Sequence, residues 1–256
     1  MCLITFSYQT DTEYPFVMIA NRDELFSRPS LPIHEWDNPK DIIGGRDLKQ
    51  SGTWLAFSKK GKFAALTNYP FIDRNVEDPI SRGLLINDYL NSDIATMEFI
   101  GTLRTKKDLY EGFHLLLGNI YPNIELKMYN NVDDQLTSYE PGFHTISNTY
   151  DDLSAYRKCQ SIKELSTLLQ DKVNLDKMIT SFQNKQSNPN LVDFPSHLTL
   201  EQAKKASAIF VEREGEFGTV STTAIAMNKT GHLIIKEVRY LKNKTNESTE
   251  IKYNFN

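Results

Sequence analysis

The stretch CLITFSY, residues 2–8, decides how the rest of the chain is read. Apolar and polar residues alternate along it and β-formers dominate, the signature of a strand. The polar connection QTDTEYP leads to FVMIANRD (16–23), a second such run close enough to pair with the first as a hairpin. Antiparallel pairing carries Asn21, Arg22, Asp23 and Glu24 back toward the start of the first strand, where Cys2 follows the initiator methionine. Two readings of Cys2 stand at this point: a small buried hydrophobe, or a nucleophile at the head of the chain.

The pattern continues outward from this hairpin. RPSLPIHEWDNP carries three prolines and reads as a loop, and IIGGRD (42–47) as a short strand. TWLAFSKKGKFAALTNYP (53–70) is a hairpin whose Gly61 supplies the turn. ISRGLLINDYLNS and DIATMEFIGTLR have helical spacing, the second with Asp93 as its N-cap. FHLLLGNI, IELKMYNN and FHTISN (143–148) return to strands. DDLSAYRKCQSIKELSTLLQD predicts an amphipathic helix and DKMITSFQN another. ASAIFVER (206–213), GTVSTTAIAMN (218–228) and HLIIKEVRY (232–240) predict a closing antiparallel meander, with KTGH as its last turn. No repeat, low-complexity tract or linker interrupts this order. It predicts an α+β protein of two antiparallel sheets with helices packed outside, in one domain spanning 1–256.

Composition narrows the function. The chain has 256 residues, 39% hydrophobic and 24% charged, with a net charge of −4. That is enough to bury a substantial core without metal or disulfide, and it gives no electrostatic footprint for nucleic acid or an anionic membrane surface. The two cysteines, Cys2 and Cys159, exclude a disulfide scaffold and a Cys-x-x-Cys zinc site, and fit a reducing compartment. No signal-peptide pattern is present and no apolar run approaches the roughly 18 residues of a spanning helix. The expectation is a cytoplasmic protein with no membrane span.

Methionine is ordinarily removed when the next residue is small, and cysteine qualifies. Cys2 would then carry both a thiol and a free α-amine. The amine pKa is near ~8, so roughly a tenth is neutral at pH 7. A neutral amine serves as general base for the side chain of its own residue. An arginine at the end of the second strand would lower the thiol pKa, and a carboxylate there would hold the ammonium or orient the arginine. Alternation sets a constraint: Asn21 and Asp23 point one way, Arg22 and Glu24 the other. Arg22 and Asp23 both face Cys2 only where the strand breaks or bulges. A charged strand exit of this kind also occurs where there is no site at all.

MCLI, ANRDELFSRP, SGTWLAFSKKGKFAALTNYP, SRG (81–83), GFHLLLGN and HTISN occur in the order seen in the NRDE family, also called the transport and Golgi organisation protein 2 family. The chain resembles that family from Cys2 to Asn148, with a weaker echo at FGTVSTTAIAM. The resemblance implies the N-terminal nucleophile hydrolase fold, a four-layer αββα sandwich of two stacked antiparallel sheets. The wider fold group includes acylases acting on penicillin V or conjugated bile acids, which use a leading cysteine, an arginine and carboxylate on the second strand, and asparagines facing the oxyanion. On that resemblance Cys2 matches the nucleophile. Arg22 with Asp23 matches the arginine–carboxylate pair, at a different spacing that leaves Glu24 in contention. Asn68 of LTNYP and Asn148 of ISN match the oxyanion asparagines, whose amides stabilise charge without titrating. Asn68 equally shapes a turn, and Asn148 equally ends a strand or caps the following helix.

Two departures stand out. Gly218-Thr219-Val220 occurs where many family members have Gly-Thr-Arg, and Ser51 replaces a common glycine before GTW. An arginine in place of Val220 would hold an anionic substrate or the thiolate. Cys159 reads as inert packing. None of the five histidines has metal-ligand spacing, so no metal site is expected. The family is associated with haem trafficking and with lipid or acyl-coenzyme A homeostasis, and haem takes axial His or Cys. His34 and His144 lie beside the recognised motifs and are the haem-ligand candidates. Two functions follow: a Cys2-dependent amidohydrolase, cofactor-free, acting on a small amide or thioester; or a non-catalytic carrier of haem, an acyl lipid or acyl-coenzyme A.

Overall fold

The alternating opening run forms β1 (Cys2–Tyr8) and its neighbour forms β2 (Phe16–Leu25). They pair antiparallel in unbroken register, from Cys2 opposite Arg22 to Tyr8 opposite Phe16. The structure, a computed structural model, describes residues 2–37, 39, 41–69, 76–148, 152–196, 198–212, 215–241 and 245–255. The middle of the chain supplies β3 (Ser30–Glu35), β4 (Ile42–Asp47), β5 (Leu55–Ser58) and β6 (Lys62–Asn68). Helices α1 (Arg82–Asn91) and α2 (Thr96–Arg104) follow, then β7 (Phe113–Asn119), β8 (Glu125–Asn130) and β9 (Gln135–Ser138). Next come β10 (Gly142–Ile146), α3 (Asp152–Leu168), α4 (Leu175–Ser181) and α5 (Leu200–Ala206). The chain closes with β11 (Phe217–Met227), β12 (His232–Arg239) and β13 (Glu247–Asn254).

The chain divides into two compact units: Met1–Ser27 with Pro141–Tyr253, and Arg28–Glu140 with Asn254–Asn256. The first unit holds a six-stranded sheet in the order β10-β1-β2-β11-β12-β13. The opening hairpin is therefore central, flanked by strands from the far end of the sequence. On one face Leu3, Val17 and Ile19 pack with Leu165 of α3, Met178 and Ile179 of α4, and Phe182. Strand period 2 and helix period 3.6 meet there on one apolar surface. The second unit holds a seven-stranded sheet, β3 to β9 in sequence order. Its helices α1 and α2 bury Leu85, Ile86, Tyr89, Phe99 and Leu103 together with Leu66, Phe113, Leu115 and Tyr129. No helix among the described residues is long and apolar enough to cross a membrane.

Several expectations change. The proline-bearing segment after Arg28 is not a loop but β3, an edge strand whose pairing with β4 shifts between Leu31 and His34. An edge tolerates Pro32 because the missing N–H is not needed there. Asp93 does not cap α2, which starts after Ala95; its carboxylate takes the Lys60 ammonium instead at 2.9 Å. Residues 206–212 do not form a strand, and residue 213 of that expected run lies outside the described residues: α5 ends at Ala206, and among the described residues an isolated bridge pairs Glu212 with Gly218. The helix is fixed by a capping box between Thr199 and Gln202, and β13, which the sequence reading does not contain, lies beside β12. Ser51 has φ of +60°, a left-handed conformation that suits glycine. That accounts for the glycine it replaces.

Candidate active site

The site is built where β2 runs out between β1 and β11. Cys2 and Arg22 are direct cross-strand partners, so their side chains share one face of the sheet, the face away from α3 and α4. Asn21 and Asp23 take the other face, as alternation requires. Asn21 is buried and fully engaged: its Nδ2 donates to the Phe182 and Ile209 carbonyls at 3.0 and 2.9 Å, and its Oδ1 accepts from Thr222 at 2.7 Å.

Asp23 is also buried, and the ion pair on its Oδ2 comes from a residue the motifs do not contain. Arg157 of α3 donates from Nη2 to Asp23 Oδ2 at 2.9 Å, with both side chains fully buried. Thr219 donates to Asp23 Oδ1 at 2.7 Å. Thr219 and Thr222 are three residues apart yet reach the same side. A β-bulge makes this possible: Thr219 pairs with Asp23 and Ser221 with Arg22, and Val220 is the extra residue. The helix side of the N-R-D run is thus a structural anchor, and Arg22 alone of the three turns toward Cys2.

The sulfur of Cys2 accepts a hydrogen bond from the Asp23 main-chain N–H. Burial pushes the thiol above its ordinary range and the Asp23 charge adds to this, while that hydrogen bond and the Arg22 charge pull it down. Asn148 follows β10, the neighbour of β1, and is fully buried. Its Oδ1 accepts from the Cys2 nitrogen at 2.6 Å. Asn148 therefore meets Cys2 as an acceptor on the nitrogen, through Oδ1.

Cys2, Arg22, Asp23 and Asn148 come together in the first unit. Asn68 ends β6 of the second unit, opposite Phe113 and half-buried. Glu24 lies one alternation beyond Arg22 and accepts from the Leu25 N–H at 2.9 Å. Cys159 is exposed on the outer side of α3, which corrects its reading as packing. Arg157 was legible only through the helix face: Ser154, Arg157, Ser161 and Leu165 are the buried positions of α3, a polar stripe at helical spacing.

A cavity of about 520 Å³ opens in the same unit, walled by Phe26, Phe210, Tyr240 and Leu241, with Lys185 and Glu212 also lining it. Thr219 lines it and Cys2 does not. Among the described residues that line it there is no histidine, cysteine or methionine. The two histidine candidates lie in different units. His34 Nδ1 donates to the Pro32 carbonyl at 2.8 Å, and the His144 ring rests 5.2 Å from Phe6. Among the described residues no group of three or more His, Cys, Asp or Glu is placed to hold a metal ion. His197 lies outside the described residues.

Solved structures with this architecture define the class. The chain matches a Caenorhabditis elegans N-acylethanolamine-hydrolyzing acid amidase ortholog at 12% identity and TM-score 0.50, covering 88% of this chain and 92% of that one. It matches a mutant of conjugated bile acid hydrolase from Clostridium perfringens at 12% identity and TM-score 0.54, covering 100% and 97%. The fold is N-terminal nucleophile hydrolase-like, the αββα class expected from the sequence. The chain belongs to the Transport and Golgi organisation 2 family, whose model matches residues 1–242. It is 26% identical to the Transport and Golgi organization 2 homolog of Mus musculus, over 100% of this chain and 99% of that protein.

Proposed function

We propose that this protein is a Cys2-dependent amidohydrolase acting on a small amide or thioester. The observation that carries the reading is the 2.6 Å hydrogen bond from the Cys2 nitrogen to Asn148 Oδ1. Once Met1 is removed, that nitrogen is the α-amine, and Asn148 holds it beside its own thiol. The thiol is raised by burial and stays protonated at neutral pH, so it needs a base within reach. The neutral amine takes the proton, the thiolate attacks the acyl carbonyl, and the ammonium returns the proton to the leaving amine or thiol. Water then releases the acyl group. Arg22 supplies positive charge on the same face as the sulfur. The reaction class is borrowed from fold relatives named for hydrolysing N-acylethanolamines and conjugated bile acids.

The test is a screen of acyl amides and thioesters with intact-mass detection, in a Cys159→Ser background because the exposed Cys159 would react first. The expected result is a protein lacking Met1 that gains one acyl mass on Cys2, with loss of the adduct and of turnover in Cys2→Ala. Retention of Met1 on the natively produced protein would overturn the reading, since the base would then sit on the wrong residue. A carrier reading is favoured by the cavity, whose wall sets Phe26, Phe210 and Leu241 beside Lys185 and Glu212. It predicts saturable binding of a fluorescent short-chain acyl probe that survives Cys2→Ala and is lost in Phe210→Asp.

A further inference from the structure

Arg157 has no part in the scheme above, yet it is among the largest fully buried side chains of the protein. A guanidinium taken out of water is unfavourable unless its charge and its donors are met. Here only Nη2 is met, by Asp23 Oδ2 at 2.9 Å and the Ile209 carbonyl at 3.2 Å, while Nε and Nη1 are buried with no partner. A well-packed apolar pair in place of both Arg157 and Asp23 would be easier to bury. What the arginine secures is Asp23. The carboxylate is gripped at both oxygens, by Arg157 and by Thr219, and the main-chain N–H of the same residue meets the Cys2 sulfur.

We propose that Arg157 is a positioning residue for Cys2. Acting from the helix side of the sheet, it clamps Asp23 and cancels its charge, so that Asp23 presents an N–H to the sulfur without repelling the thiolate. An unbalanced carboxylate beside a thiolate would oppose ionisation, and an unbalanced guanidinium would favour it. Besides the terminal amine, whose positive charge lowers the thiol and is the same in every variant below, the groups around Cys2 among the described residues of this unit are few. β2 brings Arg22, Asp23 and, one alternation further, Glu24. α3 brings Arg157 behind Asp23. The neighbouring β10 carries His144 opposite Phe6, four residues along β1 from Cys2, and the segment after it brings Asn148, which does not titrate. β11 brings Thr219 and Ser221. For its use in catalysis the proposal rests on the nucleophile reading; its measurement does not.

The experiment is the rate of iodoacetamide alkylation of Cys2 against pH, on the full chain in the Cys159→Ser background. Asp23→Asn leaves the arginine charge unopposed and is expected to lower the midpoint by about one pH unit, close to tenfold faster labelling at pH 7. Arg157→Met is expected to raise it by a similar amount, Arg157→Lys to stay near the parent, and the Asp23→Asn, Arg157→Met pair to return toward it. Should Arg157→Met fail to fold, Asp23→Asn and the double variant decide. An unmoved midpoint in Asp23→Asn, or Arg157→Lys displaced as far as Arg157→Met, overturns the proposal. Shifted midpoints without any acyl adduct on Cys2 uphold the coupling and remove the hydrolase. Turnover with an unmoved midpoint does the reverse.

Discussion

Arg157 in the first unit is fully buried and Lys62 in the second half-buried, and the fold treats their charges in opposite ways. Lys62 reaches the C-terminal end of α1, where helix carbonyls lack intrahelical partners and the dipole favours a cation. Its Nζ donates to the Ser92 and Ile94 carbonyls at 2.7 and 2.8 Å and lies 4.6 Å from the centre of the Tyr89 ring. Burial lowers its pKa while the Asp93 charge pulls it back up, and the carbonyls it donates to are neutral acceptors that a water could replace. Arg157 instead faces a carboxylate, is deeper, and keeps two donors unmet. The lesson is that a cation serving only the fold is satisfied by the main chain around it. The one whose donors stay partly unmet is tied to the strand that carries the site.

This contrast can be broken most directly by stability. Arg157→Met leaves Asp23 buried without its partner and is expected to lose about 3–5 kcal/mol in urea unfolding. Lys62→Met is expected to lose only about 1–2 kcal/mol, because the freed carbonyls at the end of α1 can hydrate. Equal losses would erase the distinction. The next effect is kinetic. Alkylation of Cys2 should rise with pH to a midpoint above the ordinary thiol value of about 8.5, since burial and Asp23 both favour the protonated form. A midpoint below that value would show that Arg22 and the Asp23 N–H outweigh burial. Thr219→Val removes one grip on Asp23 and should lose about 1 kcal/mol, with a smaller change in the Cys2 midpoint than Arg157→Met gives. Smallest is Ser51→Gly, expected to gain up to about 1 kcal/mol by relieving a positive φ.

The same contrast explains what the sequence let one read. Both hairpins were legible because alternation is a local signal: β1 with β2, and β5 with β6 around Gly61 at φ +91°. Alternation also separated Arg22 from Asp23 correctly, since their faces follow from counting. Arg157 was not legible in the same way. Its meaning depends on which side of α3 turns inward and on a partner 134 residues away. Residues 206–213 looked like a strand because a short apolar run has no period, and the capping box ahead of it settled the matter as a helix end. β13 escaped because it alternates between exposed and half-exposed positions, with no apolar run to mark it.

The bulge in β11 has a consequence for variation. Val220 is excused from the two-sided rhythm of its strand, while its carbonyl still accepts from the Tyr240 N–H at 2.9 Å. The surrounding ladder therefore does not depend on what hangs from that one carbon. It is a place where a lineage can rewrite a single letter, arginine to valine or back, and retune the neighbourhood of β2 without disturbing the threonines on either side.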